Sequence, residues 1–224
     1  MRATVLPRIV LALGAALALA LPSGAAHAQA APTRDDIVEK LNHFEEGPDL
    51  DLAALKQQVL ERAKTRIKRD PGPVNRPLIV PELATLPAFS TPIQFDQDTP
   101  IIQPGSYQTV GRIGDALVHV SLLPYTFLIV GHIESNGKPR EANVILSQRR
   151  ADAIRDVLVN TFKISAKRIQ SIGLGEEQFL DRAHPSAAIN GQMQIITLAK
   201  LPDEPPPAAG TAPPAAKKKP AKKR

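Results

Sequence analysis

A carboxylate and three polar residues at helical spacing form the most chemically suggestive group in the chain. Glu134 follows the apolar run 127–130, where a predicted strand ends in a turn. Asn143, Ser147 and Arg150 come next at offsets of four and seven, so they share one face near the start of a predicted helix. Such a group can hold a zwitterion, because the acid accepts an ammonium and the guanidinium donates to a carboxylate.

Alternating strand and helix patterns must position these residues. Apolar runs predict strands at 93–95, 127–133, 168–172 and 192–198. Two helices are predicted between them, one beginning near Gly105 and one covering 141–161. The positions expected to be buried are Val110, Ile113, Leu117 and Val120 on the first helix and Ala151, Ile154 and Leu158 on the second. This alternation predicts a small α/β sandwich with parallel pairing, right-handed crossovers and helices on one side of the sheet. The candidate residues then lie where a strand ends and a helix begins, a usual place for a binding site.

The spacing of these residues resembles that of the OmpA-like peptidoglycan-binding domain, which also occurs in Pal-type lipoproteins and MotB. The family pattern is Gly-His-Thr-Asp-x-x-Gly, followed after a short gap by Asn-x-x-Leu-Ser-x-x-Arg-Ala. The matching residues here are Gly131, His132, Glu134, Gly137, Asn143, Leu146, Ser147, Arg150 and Ala151. The resemblance extends over about residues 92–199 and implies a β-α-β-α-β-β sandwich with helices packed on one mixed sheet.

The resemblance also implies a ligand and the residues that hold it. In the family, the aspartate and the arginine bind the diaminopimelate side chain of the wall peptide. The corresponding residues here are Glu134, for the ammonium, and Arg150, for the carboxylate. Asn143, Asn136 and Asp98 are expected to complete the ligand-binding site.

Two departures from the family pattern leave a second function open. Glu134 replaces the aspartate and is one methylene longer, and the closing Asn-Arg-Arg appears as Asn190-Gly191-Gln192 without either guanidinium. A charge-assisted hydrogen bond contributes about 1.5–3 kcal/mol, so losing one weakens binding about tenfold or more. The first function is non-covalent binding of peptidoglycan. The alternative is a degenerate OmpA-like domain that serves as a protein-interaction module in the periplasm.

The chain offers little for catalysis. Its histidines share no metal-ligand spacing and it has no cysteine, so neither a metal nor a cofactor is expected. Ser147 has no plausible base beside it and no glycine-flanked nucleophile turn around it. His132, at a predicted strand end, is expected to be a packed side chain rather than a catalytic one. The sequence therefore predicts a binding protein and not an enzyme.

The first 28 residues have the pattern of a secretory signal peptide. Arg2 and Arg8 supply positive charge before an apolar stretch at 9–21. Ala26-His27-Ala28 then has the small-x-small pattern of a cleavage site. An uncleaved anchor is the alternative. Because no cysteine follows the signal to accept lipid, the protein is predicted to be exported without lipidation. We expect it in the periplasm or cell envelope, with outer-membrane association as a further option.

Composition divides the chain into five predicted parts. They are a signal peptide (1–28), an N-terminal helical segment (29–74), a Pro-rich connector (75–91), the OmpA-like domain (92–200) and a disordered Pro/Ala/Lys-rich tail (201–224). In the helical segment, Thr33 and either Asp49 or Asp51 are expected to start two helices. The apolar stripes are Ile37, Leu41 and Phe44 on the first and Leu52, Leu55, Val59, Ala63 and Ile67 on the second. The basic face of the second helix is expected to be solvated; it comprises Lys56, Arg62, Lys64, Arg66, Lys68 and Arg69.

The positive charge is concentrated at the two ends of the chain. Of the formal net charge of +6, residues 1–28 hold +2 and residues 205–224 hold +6, which leaves −2 for residues 29–204. The expected partners are peptidoglycan and, under the alternative function, envelope proteins. The tail either is solvated without a specific partner or makes a weak contact with anionic lipid or polymer. Export argues against nucleic acid as a partner.

Overall fold

A four-stranded mixed sheet is the centre of the fold. The computed structural model describes residues 31–65 and 77–201. Its strands are β1 (Ala88–Thr91), β2 (Tyr125–His132), β3 (Ile169–Gly175) and β4 (Met193–Lys200), and its helices are α1 (Arg34–Leu41), α2 (Leu52–Lys64), α3 (Tyr107–Leu117) and α4 (Arg140–Asn160). The spatial order is β1-β4-β2-β3, with β2 and β3 parallel and β4 antiparallel to both of its neighbours. The order β1-α3-β2-α4-β3-β4 along the chain confirms the predicted α/β fold class.

Several predicted segments lie outside the described residues. They are the signal peptide (1–28), the end of the second N-terminal helix with Ile67, Arg66, Lys68 and Arg69, and the tail beyond Leu201. Within the described ranges, no helix combines the length and the apolar character needed to cross a bilayer.

The first strand lies at Ala88–Thr91, so its predicted position at 93–95 is wrong. Pro92 has no N–H to donate to a ladder, and β1 ends directly before it. Phe95 instead forms an isolated bridge with Ile102 across a short hairpin, residues 95–102. The connector predicted at 75–91 therefore contains an edge strand of the sheet, and the hairpin is left outside the sheet.

Glycines allow α4 to lie directly against β2 and β3. A Cβ atom on Gly131 would come within 2.3 Å of the Ser147 carbonyl oxygen, and one on Gly173 within 2.1 Å of the Gln148 nitrogen. Ser147 Oγ also accepts a hydrogen bond from the Gly175 N–H at 2.9 Å. β3 continues through these glycines to Gly175, beyond its predicted end at residue 172. This close contact fixes the position of α4 on the sheet.

Both faces of the sheet are covered by apolar side chains. Phe127, Ile129 and Ile195 pack with α1, α3 and α4, while Leu128 and Ile196 pack with α2 and the segment 79–86. The helices expected on one side, α3 and α4, do share a face, and α2 adds a layer on the opposite face.

The buried positions predicted on α3 and α4 are confirmed with one exception. Val110, Ile113 and Leu117 are buried, as are the three predicted residues of α4. Val120 is 72% exposed, because α3 ends at Leu117 and a short 3₁₀ turn follows.

The N-terminal helices begin at the predicted residues. Thr33 and Asp36 form a reciprocal capping box at α1. The Asp51 carboxylate accepts hydrogen bonds from the Ala53 and Ala54 N–H groups at 3.0 Å, so Asp51, rather than Asp49, caps α2. The apolar positions Leu52, Leu55, Val59 and Ala63 are buried as expected.

The basic face of α2 is not wholly solvated, because Arg62 turns to the protein. Its Nε lies 2.8 Å from Glu177 Oε2, and the Glu177 side chain is only 1% exposed. Its Nη2 donates to the Pro77 carbonyl oxygen at 2.6 Å. Lys56 and Lys64 are exposed, as predicted. Arg62 therefore ties α2 to the loop that follows β3.

Candidate ligand-binding site

Glu134 lies just beyond the end of β2. The Ile133 N–H still donates to the Gly175 carbonyl oxygen at 3.0 Å, and the chain then leaves the sheet. The Glu134 carboxylate rests against the backbone of Gly191, where a Cβ atom would come within 2.1 Å of Oε2. The side chain is partly exposed, and no hydrogen bond or direct ion pair joins its carboxylate to another described residue. A negative charge is thus presented at the strand end without a partner from the described protein.

Arg150, on the second turn beyond Asn143 in α4, is held by the hairpin 95–102. Its Nε donates to the Thr99 carbonyl oxygen at 3.1 Å, and its guanidinium carbon lies 4.8 Å from the centre of the Phe95 ring. Burial lowers the pKa of the Arg150 guanidinium, and the negative charges of Glu134 and Asp98 oppose that shift. A guanidinium stays protonated in proteins, so Arg150 is an oriented cation.

Glu134 and Arg150 attract one another without touching. The charge of Glu134 acts on the Arg150 guanidinium, yet the two make no direct ion pair. Within the described ranges, the Arg150 Nη atoms have no hydrogen-bond acceptor. A surface ion pair that merely pins the loop to the helix would have neutralised both groups directly. The charges of Glu134 and Arg150 therefore act on one another at a distance, without an ion pair among the described residues.

Asp98 joins the hairpin to the loop between β2 and α4. It sits at the hairpin turn with a φ of 59°, a left-handed conformation that aspartate tolerates better than most residues. Its carboxylate forms an ion pair with the Lys138 ammonium, and both side chains are about half exposed. The structure therefore places Asp98 near Arg150, as an exposed residue with a lysine partner.

Asn143 is buried and its amide is fully engaged. Its Nδ2 donates to Asn136 Oδ1 at 3.0 Å and to Glu176 Oε1 at 2.5 Å, while its Oδ1 accepts from Asn136 Nδ2 at 3.3 Å. Asn136 is exposed, and its Oδ1 also accepts from the Lys138 N–H at 3.0 Å. Both donor hydrogens of Asn143 are used, so this residue shapes the loop around Asn136.

Ser147, the third polar residue of the predicted helix face, is fully buried. Its hydroxyl donates to the Val144 carbonyl oxygen and accepts from the Gly175 N–H, both at 2.9 Å. It joins α4 to β3 and does not line the site.

Sequence reasoning missed the residues that support the site from the loop 176–191. Glu176 is 4% exposed and holds Asn143. Asn190 is fully buried, and its Nδ2 lies within hydrogen-bond distance of the carbonyl oxygens of Asp181, His184 and Pro185. Phe95 and Thr99, which orient Arg150, carried no signal either. Among these residues, only Asn190 could have been singled out from the sequence, because it matches the asparagine of the family's closing motif.

His132 is a packed histidine, as expected. It is 1% exposed, and Nε2 lies 3.4 Å from Gln194 Oε1. Burial lowers the pKa of His132 to about 4, and the nearby Gln194 side chain opposes that shift. The ring is therefore neutral at pH 7, and it contributes no charge to the site.

A family model described as the OmpA family matches residues 94–190. Residues 94–190 belong to an OmpA-family domain. The matched range contains all five predicted site residues and ends at Asn190, the buried anchor of the last loop. The resemblance inferred from the sequence is thereby confirmed.

The OmpA-family domain is similar to part of larger outer-membrane proteins. Outer membrane porin F of Pseudomonas aeruginosa is 31% identical over 98 residues, which is 44% of this chain and 27% of that protein. Outer membrane porin F of Pseudomonas fluorescens is 36% identical over 87 residues, which is 38% of this chain and 25% of that protein. The chain thus matches about a quarter of the length of these relatives.

The solved structures to which this chain is similar include a peptidoglycan-associated lipoprotein from Burkholderia pseudomallei. It is 22% identical, with a TM-score of 0.38 over 56% of this chain and 98% of that chain. The family assignment rests on the family match alone. OmpA-family domains generally bind peptidoglycan.

Proposed function

We propose that the OmpA-family domain binds peptidoglycan non-covalently, by holding the diaminopimelate-type residue of the stem peptide in the periplasm. The relation between Glu134 and Arg150 carries this proposal. The charge of Glu134 acts on the Arg150 guanidinium, yet no direct ion pair joins the two among the described residues. A ligand that bears an ammonium and a carboxylate on one carbon would satisfy both groups at once.

The other predicted residues receive different roles in this proposal. Asp98 and Asn136 are exposed, so they would line the rim of the site. Asn143 would act through Asn136, because its own amide is engaged with Asn136 and Glu176. Glu134 would receive the ligand ammonium and Arg150 the ligand carboxylate.

Co-sedimentation with purified sacculi tests the proposal. The chain without residues 1–28 should pellet with sacculi at physiological salt, and Arg150→Ala and Glu134→Gln should each weaken binding about tenfold or more, since each removes a charge-assisted contact. Arg149→Ala and Glu82→Gln are matched controls, because both side chains are exposed and neither belongs to the site. Both controls should pellet like the unaltered chain.

Two outcomes would contradict this function. If Arg150→Ala pelleted with sacculi as fully as the unaltered chain, Arg150 would not be part of the binding site. Failure of the unaltered chain to pellet would favour the alternative of a protein-interaction module, motivated by the absence of side-chain cations at Gly191 and Gln192. Stable co-purification of one envelope protein would then be the decisive observation.

The basic tail would contribute little to wall binding. Ending the chain at residue 204 removes six positive charges. Because attraction between exposed charges is screened over about 8 Å at physiological salt, we expect this truncation to lower pelleting only at low salt. If the truncated chain failed to pellet at physiological salt, the tail rather than the domain would make the main contact with the wall.

A further inference from the structure

The Glu134 carboxylate occupies space that only a glycine leaves open. A Cβ atom on Gly191 would lie 2.1 Å from Glu134 Oε2 and 3.2 Å from Glu134 Cδ. Heavy atoms do not approach this closely, so any other residue at position 191 would displace the carboxylate. The two residues belong to the loop after β2 and the 3₁₀ turn before β4, which meet at this end of the sheet.

The backbone of Gly191 does not itself require a glycine. Its φ lies outside the left-handed region, which only Gly137 and Gly175 occupy among the glycines of the described residues. The atom that a new side chain would meet is the end of a flexible glutamate rather than the main chain. Gly191→Ala should therefore fold normally and move the carboxylate.

We infer that Gly191 is a specificity-determining residue, because it fixes where the Glu134 carboxylate meets the ammonium of a ligand; this rests on the proposed function. The glutamate and the glycine act as a matched pair. The additional methylene of Glu134 extends its carboxylate over the bare Gly191 backbone. There the carboxylate is partly buried, close enough to attract Arg150 and without a direct partner among the described residues. A shorter acid at position 134 would not reach this space.

The pairing predicts selectivity for a free side-chain amine. Two probes separate this selectivity from general affinity for wall peptides: a stem tripeptide ending in meso-diaminopimelate, and the same peptide acetylated on the side-chain amine. Acetylation removes the ammonium and leaves the carboxylate for Arg150. The unaltered protein should bind the free amine about tenfold more tightly, because a charge-assisted hydrogen bond is lost on acetylation.

A double-mutant cycle tests the inference by titration calorimetry on the chain without residues 1–28. Gly191→Ala should reduce the preference for the free amine about tenfold in the unaltered background. In the Glu134→Asp background, it should change the preference less than about twofold, because residues that do not touch have additive effects. Gly105→Ala is the control, since a Cβ atom there would meet nothing within 4 Å. Equal effects of Gly191→Ala in both backgrounds would overturn the inference.

A second readout does not need a ligand. The ¹³C signal of the Glu134 carboxyl group should move on Gly191→Ala in the free protein and stay in place on Gly105→Ala. If this signal does not move on Gly191→Ala while the protein still binds the wall peptide, the inference about Gly191 is overturned and the proposed function stands. If the unaltered protein binds neither peptide, the proposed function fails together with the selectivity role, and the carboxyl signal still decides whether Gly191 places Glu134.

Discussion

Asn143 and Arg150 lie two helical turns apart on the same face of α4, yet their polar groups have different freedom. Asn143 is 1% exposed and both of its donor hydrogens are bound within the protein. Arg150 commits its Nε to Thr99 and its face to Phe95, which leaves the Nη atoms for another group. Helical spacing places two residues on one side, and burial then decides which of them can meet a ligand.

His132 should make stability depend on pH. Burial lowers its pKa to about 4 in the folded protein, against 6.5 for an ordinary histidine. Between these values the unfolded chain binds more protons, so the free energy of unfolding should fall as pH falls from about 6.5 to about 4. The full loss is on the order of 3 kcal/mol. Urea unfolding at a series of pH values measures it.

Two histidine variants isolate this effect. His132→Gln retains a polar group that can reach Gln194 and removes the titrating ring, so the decline over this pH range should become shallower. His43→Gln changes an exposed histidine and should leave the decline intact. An unchanged decline in His132→Gln would assign the pH dependence to other groups.

At the scale of the elements, the contact between α4 and β3 depends on glycine for space. A Cβ atom on Gly173 would lie 2.1 Å from the Gln148 nitrogen, a main-chain atom that cannot step aside. Gly173→Ala should therefore lower the free energy of unfolding by about 1–3 kcal/mol or more, as overpacking does. Chemical denaturation gives this value directly.

Gly111 supplies the opposite case within α3. A Cβ atom there would meet nothing within 4 Å, and the residue lies in the helix interior. Gly111→Ala should raise the free energy of unfolding by about 0.5–1 kcal/mol, because alanine loses less backbone entropy in a helix. A similar loss of stability in both variants would contradict the packing argument.

At the scale of the whole molecule, α2 and the segment 79–86 cover one face of the sheet. They bury Leu128, Val130 and Ile196 together with apolar residues of β3. Arg62 adds a 2.8 Å ion pair with the nearly buried Glu177. These segments lie before residue 94, where the family match begins. They are therefore part of the core that carries the OmpA-family domain.

A fragment starting at residue 92, the predicted domain boundary, should be unstable. It lacks β1, α1 and α2, and it would expose the apolar face that α2 covers. We expect it to lose cooperative thermal unfolding and to bind a hydrophobic dye. A chain ending at residue 204 is the control and should melt like the unaltered protein. A fragment that melts at the same temperature as the unaltered chain would show that the N-terminal layer is dispensable.

The residues around β2 and α4 could be predicted because their signals are local. An apolar strand, a turn and an amphipathic helix lie next to one another in the chain, and their periodicity places Glu134 and Arg150 at one end of the sheet. The starts of α1 and α2 were predictable for the same reason, since a cap and the helix that it starts are neighbours. The first strand was misplaced because residues 93–95 have the right types, and only pairing with β4 decides which run joins the sheet.

The sequence by itself determined the fold class, the family and the two charged residues of the candidate site, because these follow from short-range pattern and residue type. Only the tertiary structure decided how those residues are held. Arg150 is oriented by Phe95, Glu134 lies on Gly191, and Arg62 pairs with Glu177. Each pair joins positions far apart along the chain. Such contacts depend on the path of the intervening segments, which no local periodicity records.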